Sequence, residues 1–220
     1  MNVVAPGITI QDYETGKAKP IDLFEGQIKH WILAFARHLA HQHNQREDAG
    51  IAVLLLASAA LEPLGGVLPI ENGGKGSKFK FCNGFVRVFP EVPGATNASK
   101  VAERVYELLR NGLFHEAFIK AGIVLTRQDT AVLEKDGVIY VDSVRFFDAV
   151  DSEFSDICNE IRSAGAGARI RQSFDYYWNE KQDKQSKALE PIIERGAEYP
   201  PVCSTNTLAP VNLNKWLTLL

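Results

Sequence analysis

The run Asn97-Ala98-Ser99-Lys100-Val101-Ala102-Glu103-Arg104-Val105-Tyr106-Glu107-Leu108-Leu109-Arg110-Asn111-Gly112-Leu113-Phe114-His115 decides how the chain is read. Val101, Val105 and Leu108 recur at helical intervals, and so do Ala102, Tyr106 and Leu109. A helix with two apolar stripes is largely covered by its neighbours, so polar groups on it carry more information than those on a surface helix. Three such groups close the run: Arg110, Asn111 and His115. In an unbroken α-helix, residues five apart point about 140° away from each other and lie about 7.5 Å apart along the axis. Asn111 and His115, four apart, share a face, whereas Arg110 and His115 do not. Gly112 can loosen the helix and re-aim the pair, or the groups can converge across a symmetric dimer seam. A purely structural role is also open: Arg110 pairing with Glu107 one turn back, and His115 as an ordinary satisfied histidine.

The chemistry of the trio is definite. Histidine takes or gives a proton near neutral pH. Arginine grips a phosphate through two parallel hydrogen bonds and stabilises the charge that builds on it. Asn111 can orient the imidazole or touch the same phosphate. This set suits metal-independent RNA cleavage, in which the ribose 2′-OH attacks the adjacent phosphate. Arg110-Asn111-x-x-x-His115 resembles the R-N-x-x-x-H form of the R-x4–6-H motif of the HEPN superfamily (higher eukaryotes and prokaryotes nucleotide-binding domains). The resemblance covers residues 20 to 165. It implies a small helical domain, usually dimeric, and an endoribonuclease of a toxin–antitoxin or other defence system. It implies catalytic roles for Arg110 and His115 and a supporting one for Asn111. RNA is then the partner, with a second copy of the chain and an antitoxin protein as further ones.

Composition limits the alternatives. The 220 residues carry 24 Lys and Arg against 27 Asp and Glu, a net charge of −3, and 45% are hydrophobic. One domain with additions and a sizeable core is expected, without the bulk basic charge of a nucleic-acid coat protein. Any RNA contact must come from a local patch. Cys82, Cys158 and Cys203 are far apart and odd in number, which predicts neither a disulfide framework nor a metal-ligand pair and points to a reducing cytoplasm. Met1 to Pro20 lacks a basic segment followed by an apolar core, so no signal peptide is predicted. The longest apolar run, Ile51 to Leu61, is too short to cross a bilayer, and no membrane partner is expected. No cofactor or metal is expected.

Outward from the motif, Pro6, Gly7, Gly16 and Pro20 make residues 1–20 an extended or loose arm. Asp22 can cap a first helix to about His43, with Phe24, Ile28, Trp31, Ile32 and Phe35 on its apolar face. His30, His38, His41 and His43 gather along it without a carboxylate or cysteine at ligand spacing, which leaves a solvated helix end or a weak metal reading. Arg46 to Leu61 forms a second, central helix that Glu62 ends and Pro63, Gly65 and Gly66 stop. Glu62 is either a water-facing cap breaker or a partner that holds Arg110. Gly65 to Gly76 is a glycine-rich loop without P-loop spacing. Lys75, Lys78, Lys80 and Arg87 follow, with no acid between Asn72 and Pro90, while Phe81, Phe85 and Phe89 recur every four residues. The spacing predicts a helix with an aromatic core face and a basic side suited to RNA phosphates.

Thr96 or Asn97 caps the motif helix. Beyond Lys120, Ile123-Val124-Leu125, Ala131-Val132-Leu133 and Val138-Ile139-Tyr140-Val141 are β-prone, and Asp136-Gly137 between the last two is a hairpin signal. A helix from Ser143 to about Ser163 presents Val144, Phe147, Val150, Phe154, Ile157 and Ile161, and another runs from Ala168 to Ile193. The expected fold is mainly α: an antiparallel, HEPN-like helical bundle over 21–165 with a β-hairpin or three-stranded flap near 122–141. Residues 166–220 add a C-terminal helix and tail packed on the same domain. The expected function is endoribonuclease, with Arg110, Asn111 and His115 catalytic, Glu62 and Glu107 supporting them, and Lys75, Lys78, Lys80 and Arg87 on RNA. The competing class is a non-catalytic HEPN-like module for dimerisation or for nucleotide or RNA binding.

Overall fold

The computed structural model describes residues 3–42, 49–69, 76–112 and 119–194, with side chains described to 184. Two short strands, β1 (Val3–Ala5) and β2 (Ile8–Thr9), lead into α1 (Ile10–Glu14). A continuous helical run, α2, spans 20–42. It is followed by α3 (Gly50–Val67), α4 (Ser77–Val88) and α5, which runs as Ala98–Val105 and continues as a π turn over Tyr106–Arg110. A small sheet of β3 (Ile123–Leu125), β4 (Val132–Lys135) and β5 (Val138–Val141) precedes α6 (Ser143–Ser163) and α7 (Arg169–Glu194). The protein is thus a mainly α helical bundle with a small β addition.

Helix α3 is the axis of the bundle and packs against α2, α4, α6 and α7. Its apolar residues extend past Leu61 to Val67, which gives it the 18 residues and mean hydropathy of 1.8 that would suffice to cross a membrane by length and composition. Its faces are taken by other helices, and Leu54, Ala57, Leu61, Leu64 and Val67 have no exposed surface. The expected stop at Glu62 and Pro63 is not there. Pro63 sits inside the helix, where its missing N–H weakens the ladder, but burial of Leu64 and Val67 carries the helix one more turn. Gly65 and Gly66 are packing residues. A Cβ on Gly65 would stand 1.8 Å from the Lys80 carbonyl oxygen, and one on Gly84 would stand 2.1 Å from that of Leu61. Backbones of α3 and α4 therefore touch, which only glycine at both positions permits. Residues 46–48 and 70–75, parts of the expected helix start and glycine-rich loop, lie outside the described residues.

Of the extended or loose arm expected over residues 1–20, the described part holds two short extended strands and a helix that pack on the body. Pro6 and Gly7, with φ +76° at Gly7, turn β1 into β2, and Val4 and Ala5 are fully buried. Gln27 donates to the Val4 carbonyl at 3.1 Å, and the Trp178 indole donates to Tyr13 at 3.3 Å, tying this end to α2 and α7. Asp22 is not the cap of α2 but its third residue: Pro20 opens the helix, and the Asp22 carboxylate accepts from the Lys19 backbone N–H at 2.9 Å. The middle of α2, Gly26–Leu33, is π-helical. This wider turn shifts the phase of everything after it. Leu33, Ala36 and Ala40 face the core, and Phe35, expected on the apolar face, is 62% exposed.

The phenylalanines of α4 behave as their spacing predicts. Phe81, Phe85 and Phe89 are buried, and Phe89 packs at a tilt against Phe85 and Phe146, at 4.9 and 5.0 Å between centroids. At the opposite end Phe24 packs on Phe154 and Phe174 at 5.4 and 5.7 Å. Each such ring contributes about 1.5–3 kcal/mol by leaving water. The sheet has order β3-β5-β4, with β3 parallel and β4 antiparallel to β5. Asp136 and Gly137, at φ 52° and 75°, form the two-residue hairpin turn. Arg104 of α5 bonds both Glu134 and the Gly137 carbonyl, so the hairpin is fastened to the motif helix. Asp142 then caps α6 through the N–H groups of Val144 and Arg145.

Candidate active site

The motif helix is built as its sequence dictates. The Asn97 side chain caps it by accepting from Ser99 and Lys100 N–H, and Val101, Ala102, Val105 and Leu109 are buried. Tyr106 packs edge-on against Phe81 at 5.3 Å. The helix then widens: the Asn111 N–H reaches the Tyr106 carbonyl, five residues back. In a π turn the backbone hydrogen bond spans five residues instead of four, and side chains five apart come nearer to one face than in an α-helix. Arg110, Asn111 and Gly112 are covered in part or whole. Leu113 to Phe118, with His115 among them, lie outside the described residues.

Arg110 does not pair with Glu107. Its Nη2 meets the Glu62 carboxylate at 3.3 Å, with both side chains only about a fifth exposed (21% and 23%), and its guanidinium lies 5.6 Å from the Tyr106 ring centroid. Of the two possibilities for Glu62, partner of Arg110 is the one that the geometry gives. Glu107 turns away to Lys78, which it accepts at 2.8 Å. That hydrogen bond holds the Glu107 carboxyl below its ordinary value and the Lys78 ammonium above its own.

The basic side of α4 is likewise engaged. Lys78 also lies 3.8 Å from Glu103, Lys80 meets Glu180 at 3.2 Å, and Arg87 meets Glu153 at 2.7 Å and Glu160 at 3.8 Å. Lys75 lies outside the described residues. The residues that neutralise this side come from α5, α6 and α7, far away in sequence, so a count of charges along 72–90 cannot reveal them. At the histidine-rich part of α2, His41 faces Asp148 at 3.5 Å. Among the described residues no three His, Cys, Asp or Glu side chains gather as metal ligands; His43 lies outside them.

Glu62 has a second setting. It lines a cavity of about 620 Å³ between the end of α3, the start of α4 and α7. Lys80, Arg169, Lys181 and Lys184 face this cavity with Glu62 and Glu180. Lys184 and then Lys80 keep the Glu180 carboxyl below its usual range. Burial pushes the Tyr177 phenol up and the Lys181 ammonium down. Lys80 and Lys181 both lie over the Tyr177 ring, at 5.2 and 5.6 Å. Sequence reasoning alone misses these α7 residues. Their signal is present in Ser173, Tyr177, Lys181 and Lys184, which follow at helical spacing where α7 turns from apolar to polar.

Comparison of the chain with protein-family models, with curated proteins and with solved structures gives no match.

Proposed function

We propose that this chain is a HEPN-like, metal-independent endoribonuclease that works as a homodimer in a toxin–antitoxin or other defence system. The observation that carries the reading is the place of Arg110. It stands at a π-type helix end, oriented by a carboxylate that also lines a cavity of small-molecule size. The Arg-Asn-x-x-x-His spelling of the same segment supplies the resemblance.

In this account His115 removes the proton from a ribose 2′-OH. The oxygen attacks the neighbouring phosphorus, and the bond to the 5′-oxygen breaks. A histidine in its protonated form, from the partner copy or after proton return, delivers the proton to that leaving oxygen. The products are a 2′,3′-cyclic phosphate and a 5′-hydroxyl. Arg110 holds the non-bridging oxygens as charge builds on them. Glu62 keeps the guanidinium aimed, and Asn111 orients the imidazole. Lys78, Lys80 and Arg87 reach RNA phosphates by exchanging their carboxylate partners. The test is incubation of purified protein with mixed single-stranded RNAs in chelator, with Arg110→Lys as comparison. Cleavage by the wild type alone supports the reading, and an inert wild type removes it.

One observation favours the non-catalytic module. The Arg110–Glu62 pair is four-fifths covered and charge-balanced, as a structural ion pair between two helices would be. Under that reading the pair secures the helix for dimerisation and cleaves nothing.

A further inference from the structure

We infer that Lys181 is a carbonyl-binding residue, whose amine takes a small aldehyde into the cavity between α3, α4 and α7 as an imine. This is a covalent site on α7, and it stands whether or not the motif cleaves RNA.

Three lysines line this cavity, and their amines end differently. Lys80 and Lys184 both reach Glu180, at 3.2 and 2.8 Å. The other carboxylate of the wall, Glu62, is taken by Arg110 at 3.3 Å. Lys181 is half-buried and ends on an aromatic face, its Nζ 5.6 Å from the Tyr177 ring centroid. Among the described residues no carboxylate stands within ion-pair distance of it. Lys80 lies over the same ring at 5.2 Å, so a second cation is close by. Burial, helped by the positive charges of Lys80 and Lys184, presses the Lys181 ammonium to give up its proton; Glu62 and Glu180 oppose this and do not prevail. A lysine covered from water beside another cation is prepared as a nucleophile for carbonyl groups.

The step balances without a co-reactant. The lone pair of the uncharged amine adds to the carbonyl carbon and gives a carbinolamine. The two amine hydrogens then leave with the carbonyl oxygen as water, and a C=N bond remains. Nothing is oxidised or reduced. A neutral imine carries no charge, so the burial that disfavours the ammonium does not disfavour the adduct. The cavity of about 620 Å³ lies inside the range of roughly 300–1,000 Å³ that small ligands use. Tyr176, on its wall and 66% exposed, offers a ring face to a flat aldehyde.

The test is labelling of the full chain with benzaldehyde in the presence of cyanoborohydride, which reduces the imine to a stable secondary amine. Peptide mass spectrometry then reads each lysine separately. Lys184, on the same helix and with a side chain 66% exposed, is the internal reference. At pH 7 Lys181 is expected to label several-fold faster than Lys184. Its rate should saturate as benzaldehyde is raised, because the aldehyde occupies the cavity before it reacts, whereas the Lys184 rate should stay linear. Lys181→Arg keeps a cation over Tyr177 and should abolish the saturating component while leaving the Lys184 rate unchanged. The comparison of Lys181 with Lys184 is made within the wild-type protein, so it decides the matter even if the variant does not fold. Labelling of Lys181 no faster than that of Lys184, or a Lys181 rate that stays linear in benzaldehyde, overturns the inference.

Discussion

The Glu62 carboxylate lies 3.3 Å from Arg110 Nη2 and at the same time forms part of the wall of the α3–α4–α7 cavity. One side chain thus joins the motif helix to the polar centre of the fold. Helix α3 places it there only because the helix continues through Pro63 to Val67, which fixes the direction of every residue in its last two turns.

Under the proposed reading, that geometry gives Glu62 the task of aiming Arg110. Glu62→Gln should keep the protein folded and lower RNA cleavage about tenfold, because an amide orients a guanidinium less firmly than a carboxylate. A double-mutant cycle with Arg110→Met should return a coupling of about 1 kcal/mol in stability, the scale for a single partly covered ion pair. Additive stability effects would show that the two side chains do not act together.

The contact between α3 and α4 gives a second expectation. Gly65→Ala must force apart two backbones, since its Cβ would stand 1.8 Å from the Lys80 carbonyl oxygen. A loss of about 3 kcal/mol is expected, or a fall of about 10 °C in Tm for a chain of this size. Gly137→Ala meets nothing within 4 Å and strains only its φ of +75°, so it should cost about 1 kcal/mol. Thermal melts of both variants that fall by the same amount would contradict the packing described.

The cysteines supply a pH-dependent test. Burial pushes the Cys158 thiol up to about 12 and the half-buried Cys82 thiol up to about 11. The thiolate is the reactive form, and at pH 8 an ordinary thiol has far more of it. Alkylation of Cys82 should therefore run about a hundredfold slower than that of a free cysteine peptide and rise tenfold per pH unit to about pH 11. Cys158 should be slower still. Peptide mass spectrometry reads both rates, and rapid labelling of Cys158 in folded protein at pH 7 would contradict its place in the core.

How far these features are legible in the sequence depends on distance along the chain. Local signals read true: the phenylalanine spacing of α4, Asn97 as a cap, Asp136-Gly137 as a turn and the extent of α6. Errors come where tertiary contact overrides a local rule. Pro63 and Gly65 look like a helix stop until α4 is laid against them, and Phe35 looks buried until the π-helical stretch of α2 rotates it outward. For the site, Arg110 and Glu62 are both visible as candidates, but the pairing across 48 positions is one choice among several. The cations of α4 look free because Glu153, Glu160 and Glu180 are brought to them by later helices.

Those engaged cations shape the RNA-binding prediction. Neutralising Lys78, Lys80 and Arg87 to glutamine should weaken RNA binding and flatten its dependence on salt, by up to about one unit of slope for each phosphate no longer bound. Since each cation leaves a carboxylate to reach RNA, the slope should fall by fewer than three units. A salt slope identical to that of the wild type would remove this side of α4 from the RNA path.

The central claim is that His115 and Arg110 transfer protons and hold a phosphate. The most direct measurement is RNA cleavage and thermal stability on the same samples of wild type and His115→Ala, in chelator. The account predicts a cleaving wild type that leaves 2′,3′-cyclic phosphate ends, and a His115→Ala protein with unchanged Tm whose rate is lower by about 10² to 10⁴. A wild type inert on mixed single-stranded RNAs, together with a His115→Ala protein that melts early, would contradict it.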